Sequence, residues 1–225
     1  MTRPRPRGVL GWHFLAEDRR LQFGTREVVE AGKTYMAEGP LKMCQNGVHA
    51  SRQAVDALQY APGPVVCRVR LSGEIQHDTD KSVARHRTVL WIADATAILH
   101  EFALVCGHEA LGYRDAAHGD VDSRSWAVLD IKAKWLRGEA TDDELARAAE
   151  AAWAAEAAEA AWAAGAARAA WAARAAEAAA RDTQNIILEL MLESLRWRRA
   201  AEERGRDEDL GEAARDSAGK PNTHG

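Results

Sequence analysis

The chain has 225 residues, a formal net charge of −4, 47% hydrophobic residues and 28% charged ones. That is enough for one domain with an appendage, or two small domains, and the negative balance predicts no strong attraction to nucleic acid. No apolar run reaches the roughly 18–20 residues needed to cross a bilayer, so no membrane association is expected.

Residues 1–8 read as a flexible basic tail, with Arg3, Arg5 and Arg7 interleaved with Pro4 and Pro6. No signal peptide precedes Gly8. Val9 to Leu15 reads as a strand, and a polar turn runs through Glu17-Asp18-Arg19-Arg20. Glu27 to Ala31 and Lys33 to Met36 read as short extended segments broken by Gly32. Leu41 to Cys44 and Gly47 to Ala50 look like strand ends around Gln45-Asn46, after a turn at Gly39-Pro40. Ser51 is placed to cap a helix carrying Ala54, Val55, Leu58 and Tyr60 on one side, stopped by Pro62-Gly63-Pro64. Val65 to Leu71 alternates as a strand, with Cys67, Val69 and Leu71 facing in and Arg68 and Arg70 facing out. Gly73-Glu74-Ile75 continues it, and Thr88 to Ile92 offers one more strand. Together residues 9–93 read as a small α+β domain with a mixed sheet.

Residues 94–138 read as two connecting helices. Asp94 caps the first, whose apolar face runs Ile98, Phe102, Val105 and Cys106. Ser123 or Asp122 caps the second, which carries Trp126, Leu129, Ile131 and Trp135. Gly138 ends it, and Thr141-Asp142-Asp143-Glu144 has the form of a capping box. An all-α region follows over 139–204. From Arg147 to Glu177 every third residue is something other than alanine, and the two between are always alanine. Alanine is the best helix former, so this segment predicts one long helix, on the order of 50–60 Å at 1.5 Å per residue. A three-residue period does not match 3.6 residues per turn, so large side chains wind around the helix instead of forming one stripe. Two origins fit: a tolerated nine-nucleotide expansion, or a rod whose tryptophans Trp153, Trp162 and Trp171 anchor neighbours. Asp182 to Asn185 interrupts the pattern, and Ile186, Ile187, Leu190, Met191 and Leu195 recur at true helical spacing. That last helix has a face to bury, against the rod or a partner. Residues 205–225 are polar and read as a disordered tail.

Chemistry-bearing spacings are few. The alanine-rich half offers no nucleophile, base or ligand set. Three cysteines without paired spacing fit a reducing cytoplasm. Cys44/His49 and Cys106/His108 would meet only by long-range packing, so no metal site is expected. Asp78, Asp80 and Lys81 read as a turn with a local ion pair.

Three resemblances add to this reading. Gly32-Lys33-Thr34-Tyr35, Cys44-Gln45-Asn46-Gly47-Val48-His49-Ala50-Ser51, Val69 through Gly73-Glu74-Ile75, and Asp80-Lys81-Ser82-Val83-Ala84 resemble an uncharacterised domain of bacteriophage and bacterial proteins. It spans about residues 8–93 and implies a fold without an activity. Leu129 through Thr141 and the Ala-Ala repeats resemble helical segments of phage proteins and of bacterial immunity proteins. Gly11-Trp12-His13, then Val48-His49-Ala50-Ser51, then Pro64 through Val69 resemble the ADP-ribosyltransferase and RNA 2′-phosphotransferase fold. That likeness implies His13 and His49 holding NAD or another nucleotide, Ser51 lining the pocket and Tyr60 stacking on nicotinamide. It also implies Glu74 as the carboxylate that polarises the acceptor or steadies the oxocarbenium-like transition state. Phe14-Leu15 follows His13 where that family's first motif continues differently.

The function expected is therefore that of a non-enzymatic, phage-type or mobile-element accessory protein in a bacterial cytoplasm, using no cofactor. It would act by protein–protein interaction or self-association through the helical arm, at Trp153, Trp162, Trp171, Ile187, Leu190, Met191 and Leu195. The alternative is a transferase-like, nucleotide-binding enzyme.

Overall fold

A computed structural model describes residues 8–21, 26–119, 121–160 and 181–198. The architecture is α+β: an antiparallel sheet in the N-terminal half, then helices. β1 (Val9–Leu15) pairs with β4 (Val65–His77), and β4 pairs with β5 (Ser82–Asp94). The other edge of β5 is shared by β2 (Thr34–Met36) and β3 (Val48–Ala50), both antiparallel to it. Just after β3, Ser51 exchanges two backbone hydrogen bonds with Trp12, at 2.7 and 3.0 Å. That bridge ties the end of β3 back to β1, so the sheet curls until its margins meet. Gly11 permits the approach, because a Cβ there would lie 2.9 Å from the Ser51 carbonyl oxygen. Register shifts at Arg68/Val69 and Ser72/Ile75 supply the bend in the long β4–β5 hairpin.

Curling gives the sheet two buried faces. The inner face gathers Leu15, Tyr35, Ala50, Cys67, Val69, Leu71, Ala84, Val89 and Ile92. The outer face carries Trp12, Phe14 and Val66, covered by α1 (Ala54–Leu58), the start of α2 (Thr96–His118) and the helix α5 at 181–198. Strands buried on both sides lose the clean alternation of a half-solvated sheet. Arg68, expected to face solvent, therefore lies half-buried with its guanidinium 4.3 Å above the Trp12 ring.

Several local expectations hold. β1 spans the strand read at 9–15. Asp122 caps α3 (Ser123–Leu136) by accepting from the Arg124 N–H. Asp94, expected to cap α2, accepts from the Thr96 N–H but stands one residue before the cap position, which Ala95 holds without a side-chain bond. Gly138 stands beyond α3 in the left-handed region, at φ 74°. Thr141 and Glu144 form the reciprocal capping box: the Thr141 N–H donates to Glu144 Oε2 at 2.8 Å, and the Glu144 N–H to Thr141 Oγ1 at 3.2 Å. It opens α4 (Asp142–Ala160), the described part of the alanine-rich helix. Positions 161–180, with Trp162 and Trp171, lie outside the described residues, as do residues 1–7 and 199–225. Trp153 belongs to the α4 backbone, and its side chain is outside the described part.

Other expectations need correction. Glu27 to Ala31 makes only an isolated bridge, between Arg20 and Val28, and Leu41 to Cys44 is turn around a Lys42–Asn46 bridge. β5 begins at Ser82, six residues before the segment recognised from sequence. Ser51 does not cap α1; Gln53 holds that position without a side-chain bond. The cap comes from α5. Asn185 Oδ1 accepts from the Ala54 and Val55 N–H groups at 2.8 and 3.3 Å. The last helix thus folds onto the sheet domain, with Leu188 and Leu192 fully buried and Ile187, Met191 and Leu195 packed around them.

Candidate functional site

His13 projects from β1 to the inner face, and His49, 36 positions away on β3, lies within electrostatic reach of it. His13 pairs in register with Cys67 on β4, and its imidazole is opposed in protonation by burial, then by Arg87, then by His49. Its pKa lies well below the ordinary value, so the ring is neutral at pH 7. Arg87 is only 4% exposed and donates from Nη1 to the His49 carbonyl oxygen at 2.9 Å. Its Nε is buried with no partner among the described residues. Burial lowers the Arg87 pKa to about 10, which leaves it protonated at neutral pH. Burial likewise pushes the Cys67 thiol up to about 12, so it is no thiolate.

His13 also lines a cavity of about 200 Å³ with Asp18, Arg20, Leu21, Arg26 and Pro62 among its walls. The described neighbours give it an apolar floor and two cationic side chains against one carboxylate. The arrangement can orient a small polar ligand against a neutral imidazole. No nucleophile is activated there.

His49 has a structural task. Its Nε2 accepts from the Cys44 N–H at 3.1 Å, which fixes the acceptor tautomer and helps keep the ring neutral. Burial, Arg87 and Lys81 lower its pKa in that order. The Cys-x-x-Gly-x-His spacing is thereby explained as a turn: Asn46 Nδ2 donates to the Glu38 and Pro40 carbonyl oxygens, at 2.7 and 2.8 Å. Gly47 sits at φ 136°, where a Cβ would lie 2.1 Å from a Val83 methyl carbon.

The remaining transferase-type candidates lie elsewhere. Glu74 lies within the second bulge of β4, paired with Arg85 at 3.1 Å, seven residues from the Cys67 position opposite His13. Ser51 is buried in the bridge to Trp12. Tyr60 is half-exposed after α1 and bonds through its hydroxyl to Asp80 and Lys81 across the β4–β5 turn. Asp78 and Lys81 close that turn by a backbone bond of 2.8 Å.

The second candidate surface is the outer side of α5. Ile186, Leu190 and Trp197 are 60%, 69% and 66% exposed. Spacings of four and seven place them within about 40° of one another around a helix of 100° per residue. Glu189 lies off this stripe and accepts from the Trp12 Nε1–H at 3.1 Å, while Glu193 stands at the edge of the stripe and pairs with Arg68 at 3.8 Å. Of the residues named from sequence as partner-binding, Leu190 alone is strongly exposed on this helix. Ile187, Met191 and Leu195 are occupied by the chain's own core. Trp197 and Arg87 escaped the sequence reading. Trp197 stands among Arg196, Arg198 and Arg199; Arg87 has the parity of Val89, which was the one signal that it points inward.

Among the described residues, no group of three or more His, Cys, Asp and Glu is placed to hold a metal ion. None of the described helices is long and apolar enough to cross a membrane.

Residues 14–101 match the family described as Domain of unknown function (DUF7666). The match takes in the last two residues of β1, strands β2 to β5, α1 and the start of α2. No curated protein and no solved structure gives a significant match.

Proposed function

We propose that this chain is a non-enzymatic interaction protein, of the phage or mobile-element accessory kind, and that its contact is a second copy of itself through α5. The observation that carries the reading is the apolar stripe Ile186, Leu190 and Trp197, left uncovered on a helix whose opposite side is fully used. A helix apolar on two sides is a helix between two bodies. An antiparallel, two-fold pairing centred near Leu190 sets Asp182 of one copy against Arg198 of the other, so one patch is its own complement. The alanine-rich arm leaves from the same molecule and would extend its reach. Sedimentation equilibrium tests the proposal: the unmodified chain is expected to be a dimer, and Leu190→Glu with Trp197→Glu a folded monomer. A monomeric unmodified chain at high micromolar concentration refutes self-association.

A second reading, a nucleotide-binding transferase-like protein, is favoured by one observation: His13 lines a cavity and lies within electrostatic reach of His49. Against it stands the distance of Glu74 along β4. On the main reading NAD leaves the melting temperature unchanged. A rise with NAD that disappears in His13→Gln would establish the second reading instead.

A further inference from the structure

We propose that His49 is a pH-sensitive catch: while neutral it holds the tip of the turn at residues 38–47 against β3, and when protonated it lets that tip go. The tip is closed on itself. The Lys42 and Asn46 backbones exchange two hydrogen bonds of 2.8 Å, and the Gln45 N–H donates to the Lys42 carbonyl oxygen at 3.0 Å. Its tie to β3 is the Cys44 N–H, which donates to His49 Nε2 at 3.1 Å. Cys44 is held there at φ 61°, a conformation unfavourable for a residue with a Cβ. Protonation turns Nε2 from an acceptor into a donor, so two N–H groups then face each other. The bond is replaced by repulsion, and the strain at Cys44 is free to relax. The base of the turn stays fastened, because Arg85 Nη1 donates to the Ala37 and Gly39 carbonyl oxygens and Leu41 is buried.

The groups around the ring oppose a charge on it. Arg87 of β5 donates to the His49 carbonyl oxygen, and Lys81, just before β5, is held by the Tyr60 hydroxyl at 3.2 Å. Burial and these two cations outweigh the hydrogen bond to the Gly47 backbone, which favours the charge. His13 on β1 is neutral at pH 7. On β4, His77 bonds the Ser82 hydroxyl and Glu74 is paired with Arg85. Glu38 and Lys42 of the turn itself are exposed, and no carboxylate is among the groups acting on the ring. The closed turn therefore rejects the proton, while the open one returns the ring to water and to the ordinary histidine pKa of about 6.5. With the folded value depressed, the catch is whole above about pH 6.5 and loosens as pH falls below it. None of this depends on the interaction proposed for α5.

The test is amide hydrogen exchange of the full chain between about pH 7.5 and 5, each rate taken relative to an unstructured peptide at the same pH. Protection of the Cys44 amide is expected to fall roughly tenfold over that range. The ceiling is about thirtyfold, for a ring that regains a pKa of 6.5 on opening. At every pH the Cys44 amide stays far less protected than that of Val89, whose N–H donates to the Lys33 carbonyl oxygen at 3.0 Å inside the sheet domain. His13→Gln leaves the fall at Cys44 in place, because opening the turn does not release His13. His49→Gln removes it, since a carboxamide oxygen accepts, or fails to accept, equally at every pH. Cys44 protection unchanged down to pH 5 overturns the proposal, as does a fall that persists in His49→Gln. Equal protection at Cys44 and Val89 also overturns it, because the turn then opens only with the whole sheet. The first and last of these outcomes are read in the unmodified chain and stand even where a variant fails to fold.

Discussion

At Gly47 the backbone adopts a φ of 136°, and the position of a Cβ is already filled by Val83. Gly47→Ala must strain the turn and push β3 away from β5. We expect it to cost roughly 2–4 kcal/mol, from backbone strain and overpacking together, read as a lower midpoint in urea denaturation. The histidines give a second residue-scale prediction. His13 and His49 both have folded-state pKa values below the ordinary 6.5, so the unfolded chain binds protons that the folded one refuses. Stability therefore rises with pH through this window and falls as pH drops below about 6.5. Each such histidine contributes a slope of up to about 1.4 kcal/mol per pH unit. His13→Gln should flatten the Tm-against-pH profile between pH 7 and 5. An unchanged profile would mean that His13 titrates normally. The carboxylates Asp94 and Asp122, held low by Thr96 and Arg124, act only in a more acidic window. The motif glycine and histidine were legible in the sequence as a spacing, while their roles were not, because a spacing does not say which atom accepts from which.

At the scale of elements, caps and strand periods were the legible part. Thr141 and Glu144 announce a helix start because both partners of the bond are three residues apart. The cap of α1 was illegible for the converse reason: its acceptor, Asn185, lies 131 residues away from Ala54. Asn185→Ala leaves the Ala54 N–H to Glu189 alone, at 3.3 Å, and the Val55 N–H without its acceptor. The expected cost is about 1–3 kcal/mol, with amide exchange accelerated first in residues 54–58. Equal exchange in the two proteins would show that α1 is held by packing instead. α2 and α3 meet where Gly107 faces Leu129, and a Cβ on Gly107 would lie 2.8 Å from a Leu129 methyl carbon. No periodicity marks that contact, since glycine contributes nothing to a hydrophobic pattern. Arg87 was missed on β5 for a related reason. A charged residue flanked by His86 and Thr88 reads as surface until the strand on either side is known.

For the whole molecule, the fold class was legible because the sheet half and the alanine-rich half differ in grammar. The destination of the last helix was not. Its apolar residues exceed one stripe, and sequence alone does not divide them between an inner side at Leu188 and Leu192 and an outer side at Ile186, Leu190 and Trp197. The most direct test of the self-association reading is a symmetric crosslink at Leu190. Cys44 is exposed and Cys106 half-buried, so both are first replaced by serine; Cys67, buried with its thiol raised to about 12, stays unreactive. In that background Leu190→Cys is oxidised mildly and the yield of disulfide-linked dimer is compared with that of Tyr113→Cys, an equally exposed control on α2. A two-fold contact through α5 predicts rapid, near-complete linkage at position 190 and little at 113. Equal, slow linkage at both positions would contradict it.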